Sequence, residues 1–251
     1  MSKKRFWNIL IILFTVFFLI TALIIVLLFG KDYFIKDNDE NEINNVFSSI
    51  ASQDLPDNPI NFEKFKEINP EIYAWIRVPN TNIDYPIVQS ASNDEFYLHH
   101  NIYGKYEYAG TIYTEKLNSK NFSDPNTVLY GHNMTKGYMF ENLHKFQDED
   151  FFKENTKFFI YTPEKILTYT IISAFQYNIY HIMYSFDFQS EEGFAKYLNA
   201  IKSPGYKIKN VRNEIDLTTD DKIVTLSTCL GDGKYYRYLV TGVLTNIQQT
   251  N

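Results

Sequence analysis

The sequence predicts a mainly β protein, an antiparallel-rich barrel or sandwich of about eight short strands behind a single N-terminal transmembrane helix. Three observations carry that expectation. After Pro70, short apolar runs recur, separated by turn residues such as Pro79-Asn80, Ser92-Asn93-Asp94 and Asp124-Pro125-Asn126. Aromatic side chains make up 17% of the 251 residues, a supply that favours strands and can fill a sizeable core. Phe6 to Phe29, 24 residues without a charge, would span roughly 36 Å as a helix, enough to cross a bilayer core of about 30 Å.

Lys3, Lys4 and Arg5 precede that stretch, and no acidic residue appears before Asp32. The positive-inside rule then puts residues 1–5 in the cytoplasm, 6–29 in the membrane and the rest outside the cell. The stretch is longer than a signal-peptide core, and no small-residue cleavage site follows it, which favours an uncleaved anchor. Residues 30–60 read as a juxtamembrane connector, in which Ile43, Val46, Phe47 and Ile50 form one stripe of a short amphipathic helix. Residues 61–248 read as the folded domain.

That domain opens with a helical spacing, Phe62, Phe65 and Ile68, stopped by Asn69-Pro70. Strands are expected at Tyr73–Val78, Tyr85–Gln89, Gly110–Tyr113, Thr127–Tyr130, Lys157–Tyr161, Ile166–Phe175, Lys222–Ser227 and Tyr235–Leu244. Two helices interrupt them. One covers Met139–Phe146. The other follows Ser190, an N-cap with Glu191 and Glu192 behind it, and buries Phe194, Tyr197, Leu198 and Ile201. The 30 acidic residues all lie beyond the anchor, which leaves the external part strongly acidic and argues against a nucleic-acid partner.

Cys229 is the only cysteine, so no intramolecular disulfide can form. It ends a β-type run, Ile223 to Cys229, and shares a face with Thr225 and Ser227, small polar neighbours rather than aliphatics. A thiol nucleophile needs a cation or base beside it. Arg237 lies in the next strand and comes beside Cys229 if the glycine turn Gly231-Asp232-Gly233 makes the two strands neighbours; the competing reading is an Arg on the solvent face of an edge strand. His132 follows the run Val128-Leu129-Tyr130 through Gly131, again at a strand end. His144, on the expected Met139–Phe146 helix, reads as a surface residue. His99 and His100 would point to opposite faces of a strand, and no second ligand pair has zinc spacing, so no metal site is expected.

Tyr130-Gly131-His132, Leu226-Ser227-Thr228-Cys229 and Arg237 resemble the signature of sortases, cysteine transpeptidases of Gram-positive bacteria. Asn69 to Ile76, Ile83 to Gln89, Glu95 to Leu98 and the helix after Ser190 look like class B of that family, over roughly Phe62 to Val243. The connection from Cys229 to Arg237, only the seven residues Leu230 to Tyr236, is shorter than the family's usual one. The resemblance implies a closed β-barrel of about eight strands, no cofactor, and a catalytic triad of Cys229, His132 and Arg237. It also implies substrate contacts at Leu98, Ser227, Thr228, Asn93 and Tyr184, the last within a lid over Tyr177–Phe188. The implied substrate is an Asn-Pro-x-Thr-like sorting signal, cleaved through a thioacyl-enzyme and joined to a peptidoglycan amine. Alternatives are a pilin-type or housekeeping sortase, an extracellular Cys-His peptidase, and a non-catalytic membrane-tethered binding domain.

Overall fold

In the computed structural model, Thr21 and residues 58–231 and 234–250 are described. The expected cytoplasmic tail, most of the anchor and connector, and the Ile43–Ile50 stripe lie outside them. Among the described residues no helix is long and apolar enough to cross a membrane.

Alternation along single strands sets up the barrel. In β8 (Ile223–Leu230), Val224 and Leu226 join one core cluster while Ile223 joins another on the opposite face. A strand buried on both faces needs an interior on one side and a covering layer on the other. The interior is built by β1 (Ile72–Arg77), β2 (Asp84–Val88), β3 (Ile112–Tyr113), β4 (Asn126–Tyr130), β5 (Lys157–Tyr161), β6 (Lys165–Asn178), β8 and β9 (Tyr236–Gln249). The sheet order is β5-β1-β2-β3-β4-β8-β9-β6, and β5 also pairs with β6, so these eight strands close on themselves. Closure removes the exposed edges that an open sheet would present. A ninth strand, β7 (Lys209–Val211), hangs from β6. The expected closed barrel of about eight strands is what is found.

Two ladders are parallel, β2–β3 and β4–β8; the others are antiparallel. Pro86 is tolerated inside β2 because it pairs with Trp75 on one side, while β3 begins only opposite Ile87 on the other. Helix α1 (Phe62–Ile68) starts where the Asn61 side chain accepts from the Lys64 N–H at 3.1 Å, and it sets Phe65 against Trp75. The Met139–Phe146 expectation becomes a 3-10 helix, Glu141–Gln147. Met139 has φ +51°, a left-handed backbone from which no helix can propagate. Two short helices, α2 (Glu149–Glu154) and α3 (Ile182–Ser185), were not expected.

The covering layer is α4 (Glu191–Lys202), which begins where the Ser190 side chain accepts from the Gly193 N–H at 3.1 Å. Its Phe194, Tyr197, Leu198 and Ile201 pack on Val128, Ile223, Leu239 and Val243, the outer faces of β4, β8 and β9. Tyr197 hydroxyl also bonds Thr225 Oγ1, which donates to Asn126 Oδ1 at 2.7 Å. The outer face of β8 is therefore sealed at Thr225. Two and four residues on, that same face carries Ser227 and Cys229.

Candidate active site

Register alone brings the first two groups together. Cys229 and Arg237 are directly opposed across the antiparallel β8–β9 ladder, so both side chains leave the sheet on the same side. Cys229 is a half-buried free thiol in the penultimate position of its strand. Arg237 is also half-buried, opposite Tyr177 on β6, and donates to the Tyr236 carbonyl. It is flanked by paired strands on both sides, which excludes the edge-strand reading.

His132 arrives from β4. Tyr130 is opposite Ser227, and the Gly131 N–H donates to the Ser227 carbonyl at 3.1 Å, the last rung of the parallel ladder. A Cβ at Gly131 would stand 2.5 Å from the Ile112 side chain and 2.8 Å from Phe140, so only glycine lets the chain turn here. The imidazole is then held from across the groove. Its Nε2 lies 2.9 Å from the Leu98 carbonyl, which can only accept, so Nε2 carries the hydrogen and Nδ1 is left as the basic nitrogen. His99 and Tyr108 stack on the ring, each 5.2 Å away. Leu98 is itself fixed by Gly110, whose φ is +63°. A Cβ there would lie 2.4 Å from both the Tyr97 and Leu98 carbonyl oxygens. That left-handed turn ends the expected Gly110–Tyr113 strand short, at Ile112–Tyr113.

Burial pushes the His132 imidazole below its ordinary value of 6.5, and the nearby His99 adds to this, while the Leu98 carbonyl opposes. The ring is therefore neutral at pH 7. An imidazolium formed there is correspondingly a stronger acid.

All three groups line one groove of about 390 Å³. Leu98, Ser227 and Thr228, which the family resemblance singles out, line it too; Thr228 Oγ1 is buried with no hydrogen-bond partner among the described residues. Asn93 and Tyr184 are not among the lining residues. Asn93 is exposed and its side chain accepts from the Glu95 N–H, closing a local turn. Tyr184 is exposed, its ring tilted against that of His181 at 4.6 Å, and the expected lid reaches the groove through Tyr177, Ile179, Tyr180, His181 and Ile182, which form the far wall.

Sequence reasoning missed two features of this groove. His181 Nε2 lies 2.8 Å from the Glu115 carboxylate and 3.2 Å from the Tyr130 hydroxyl, tying the far wall to the strands. His144 is not a surface residue: it is half-buried, and its Nε2 donates to the Cys229 carbonyl at 3.0 Å. Nothing local could reveal a contact spanning 85 residues of chain. His99 and His100 do diverge, but for a different reason than expected. They follow a 3-10 turn, with His99 stacked toward His132 and His100 stacked on Phe96.

A closed barrel that presents a lone thiol, an imidazole and a guanidinium along one groove is the frame of a cysteine acyl-transfer enzyme. The sortase-domain family model matches residues 76–245, and the chain belongs to the sortase family, in its class B. Sortase B of Listeria monocytogenes serovar 1/2a is 33% identical over 164 residues, 65% of this chain and 65% of that protein. Sortase B of Staphylococcus aureus is 26% identical over 238 residues, 91% of each chain. The X-ray structure of Clostridium perfringens sortase B superposes with a TM-score of 0.67 at 35% identity, covering 74% of this chain and all of that one. Membership makes this chain a cysteine transpeptidase, in a family that acts on sorting signals and peptidoglycan precursors.

Proposed function

We propose that this chain is a membrane-anchored transpeptidase that cuts an Asn-Pro-x-Thr-like sorting signal and passes the new acyl end to a peptidoglycan amine. The observation that carries the reading is the direct pairing of Cys229 with Arg237 beside the groove that His132 also lines. Its localisation, outside the cell on a single membrane span, rests on the uncharged Phe6–Phe29 stretch and the basic residues before it.

Chemistry follows from those positions. His132 Nδ1 takes the Cys229 proton, and the thiolate attacks the carbonyl carbon of the signal's Thr. The tetrahedral oxyanion forms beside the Arg237 guanidinium, which stays charged at any working pH. The imidazolium, made more acidic by burial, then gives its proton to the departing amide nitrogen, and the C–N bond breaks to leave a thioester. An incoming amine yields a proton to His132, attacks the thioester carbon and expels Cys229 as thiolate. Leu98 and Ser227 contact the signal along the groove, and the Tyr177–Ile182 wall closes over it.

The test uses detergent-solubilised full-length chain and a fluorogenic Asn-Pro-x-Thr peptide, with and without added amine. Cys229→Ala is expected to abolish cleavage, and the wild type to give an amine adduct as product. Full turnover by Cys229→Ala, or hydrolysis that no amine diverts, would reject the reading.

A further inference from the structure

The β4–β8 ladder ends one rung before the nucleophile. In a parallel pair, alternate residues of a strand offer their carbonyls to the same neighbour. The Ser227 carbonyl receives the Gly131 N–H. The next carbonyl on that edge belongs to Cys229, and a continued β4 would supply it from Asn133. But the chain has already turned away there: Asn133 forms a bridge with Met139 instead. Beyond Cys229, β8 has one more residue before Gly231, at φ +62°.

We propose that His144 is a positioning residue for the nucleophile, its Nε2–H replacing the missing rung at the Cys229 carbonyl and holding the end of β8 in catalytic register. The inference rests on the reading of Cys229 as the nucleophile. Three observations support it. Nε2 is 3.0 Å from an oxygen that can only accept, so this nitrogen carries the hydrogen. The other nitrogen, Nδ1, is 2.8 Å from Gln147 Nε2, an amide that donates and so selects that tautomer. The ring packs against Tyr238 at 5.1 Å, and Tyr238 is the cross-strand partner of Thr228, so the imidazole is braced by the two strands it aligns. Burial also keeps the ring below its ordinary value and neutral at pH 7, although the Cys229 carbonyl and Glu141 pull the other way.

This is a different task from that of His132. In the proposed mechanism His132 exchanges protons with the reacting groups, whereas His144 bonds the backbone carbonyl of the residue that carries the sulfur. Loss of the rung frees the last residues of β8 to move toward the glycine turn, and a displacement near 1 Å at a reacting atom costs about 100-fold in rate.

The experiment compares His144→Ala, His144→Gln and His144→Leu in the full-length chain, measuring kcat, KM for the fluorogenic peptide, and the melting temperature. Gln places an amide donor close to where Nε2 stood; Leu has similar bulk and no donor. Expected are a loss of about 10- to 100-fold in kcat for Ala and Leu, with KM within twofold, and recovery to within about fivefold for Gln. Equal kcat for Gln and Leu would overturn the proposal, and so would a kcat within twofold of wild type in folded His144→Ala. If His144→Ala fails to fold, the Gln–Leu pair carries the test unchanged. Inactivity of Cys229→Ala alongside either contrary result would show that the positioning role alone had failed.

Discussion

Arg237 owes its place to a register, which makes its chemistry sensitive to shape rather than to charge alone. Opposite Cys229, the guanidinium would, in the proposed mechanism, present a rigid planar fork to the oxyanion, whereas lysine would offer a flexible point charge. Arg237→Lys is therefore expected to lower kcat by about 100-fold, the usual scale for losing one oxyanion donor, with KM little changed. A steady-state comparison on the peptide substrate settles it; a lysine variant within fivefold of wild type would mean that positive charge suffices. At this scale the sequence was informative in proportion to chain separation. Cys229 and Arg237 are joined by seven residues, so a hairpin argument could pair them. His132 was legible as a strand-end residue and as part of the resemblance. His144 was not, because it bonds a backbone carbonyl to which no pattern in its own neighbourhood points. The Asn93 and Tyr184 assignments were carried by alignment to a family, and both side chains turn to local partners instead.

Among the elements, α4 shows how local chemistry and packing divide the labour. Its apolar stripe seals the outer face of β8 up to Thr225; Ser227 beyond it is still buried, and Cys229 is the first position on that face to be partly exposed. Its start depends on Ser190, the oxygen that satisfies the Gly193 N–H. Ser190→Ala should cost about 1 kcal/mol, a drop of some 2–4 °C in melting temperature for a domain of this size, with kcat unchanged. Calorimetry paired with the peptide assay checks both halves, and a large fall in kcat without a fall in melting temperature would show that α4 does more than cover. The cap and the stripe were both visible in sequence. Strand ends were less so. β9 runs five residues past the expected Leu244 and pairs with the start of β6. Residues 245–249 are exposed on both faces, so no apolar alternation marks them. β7, three residues and mostly polar, is silent for the same reason.

For the whole molecule, the imidazoles of His132 and His144 tie folding stability to pH. Burial holds both His132 and His144 below the ordinary value of 6.5, each in a neutral ring that donates to a backbone carbonyl. An unfolded chain would bind protons at both sites near pH 6.5, while the folded one resists until lower pH. Between those limits the unfolded state holds more protons, so stability rises with pH there. The contribution of both rings is thus complete above about pH 6.5 and is lost progressively as pH falls toward the folded values. Urea midpoints measured from pH 7.5 down to 5 should therefore decline, above the range where carboxylates begin to titrate. In His132→Phe, which keeps a ring between His99 and Tyr108 but cannot titrate, the decline should be shallower, and His144→Phe should flatten it further. A flat wild-type profile, or an unchanged slope in both variants, would mean that these imidazoles fold at no cost in protons. The site would then draw its neutral His132 from something other than the dry, stacked setting that the barrel rim provides.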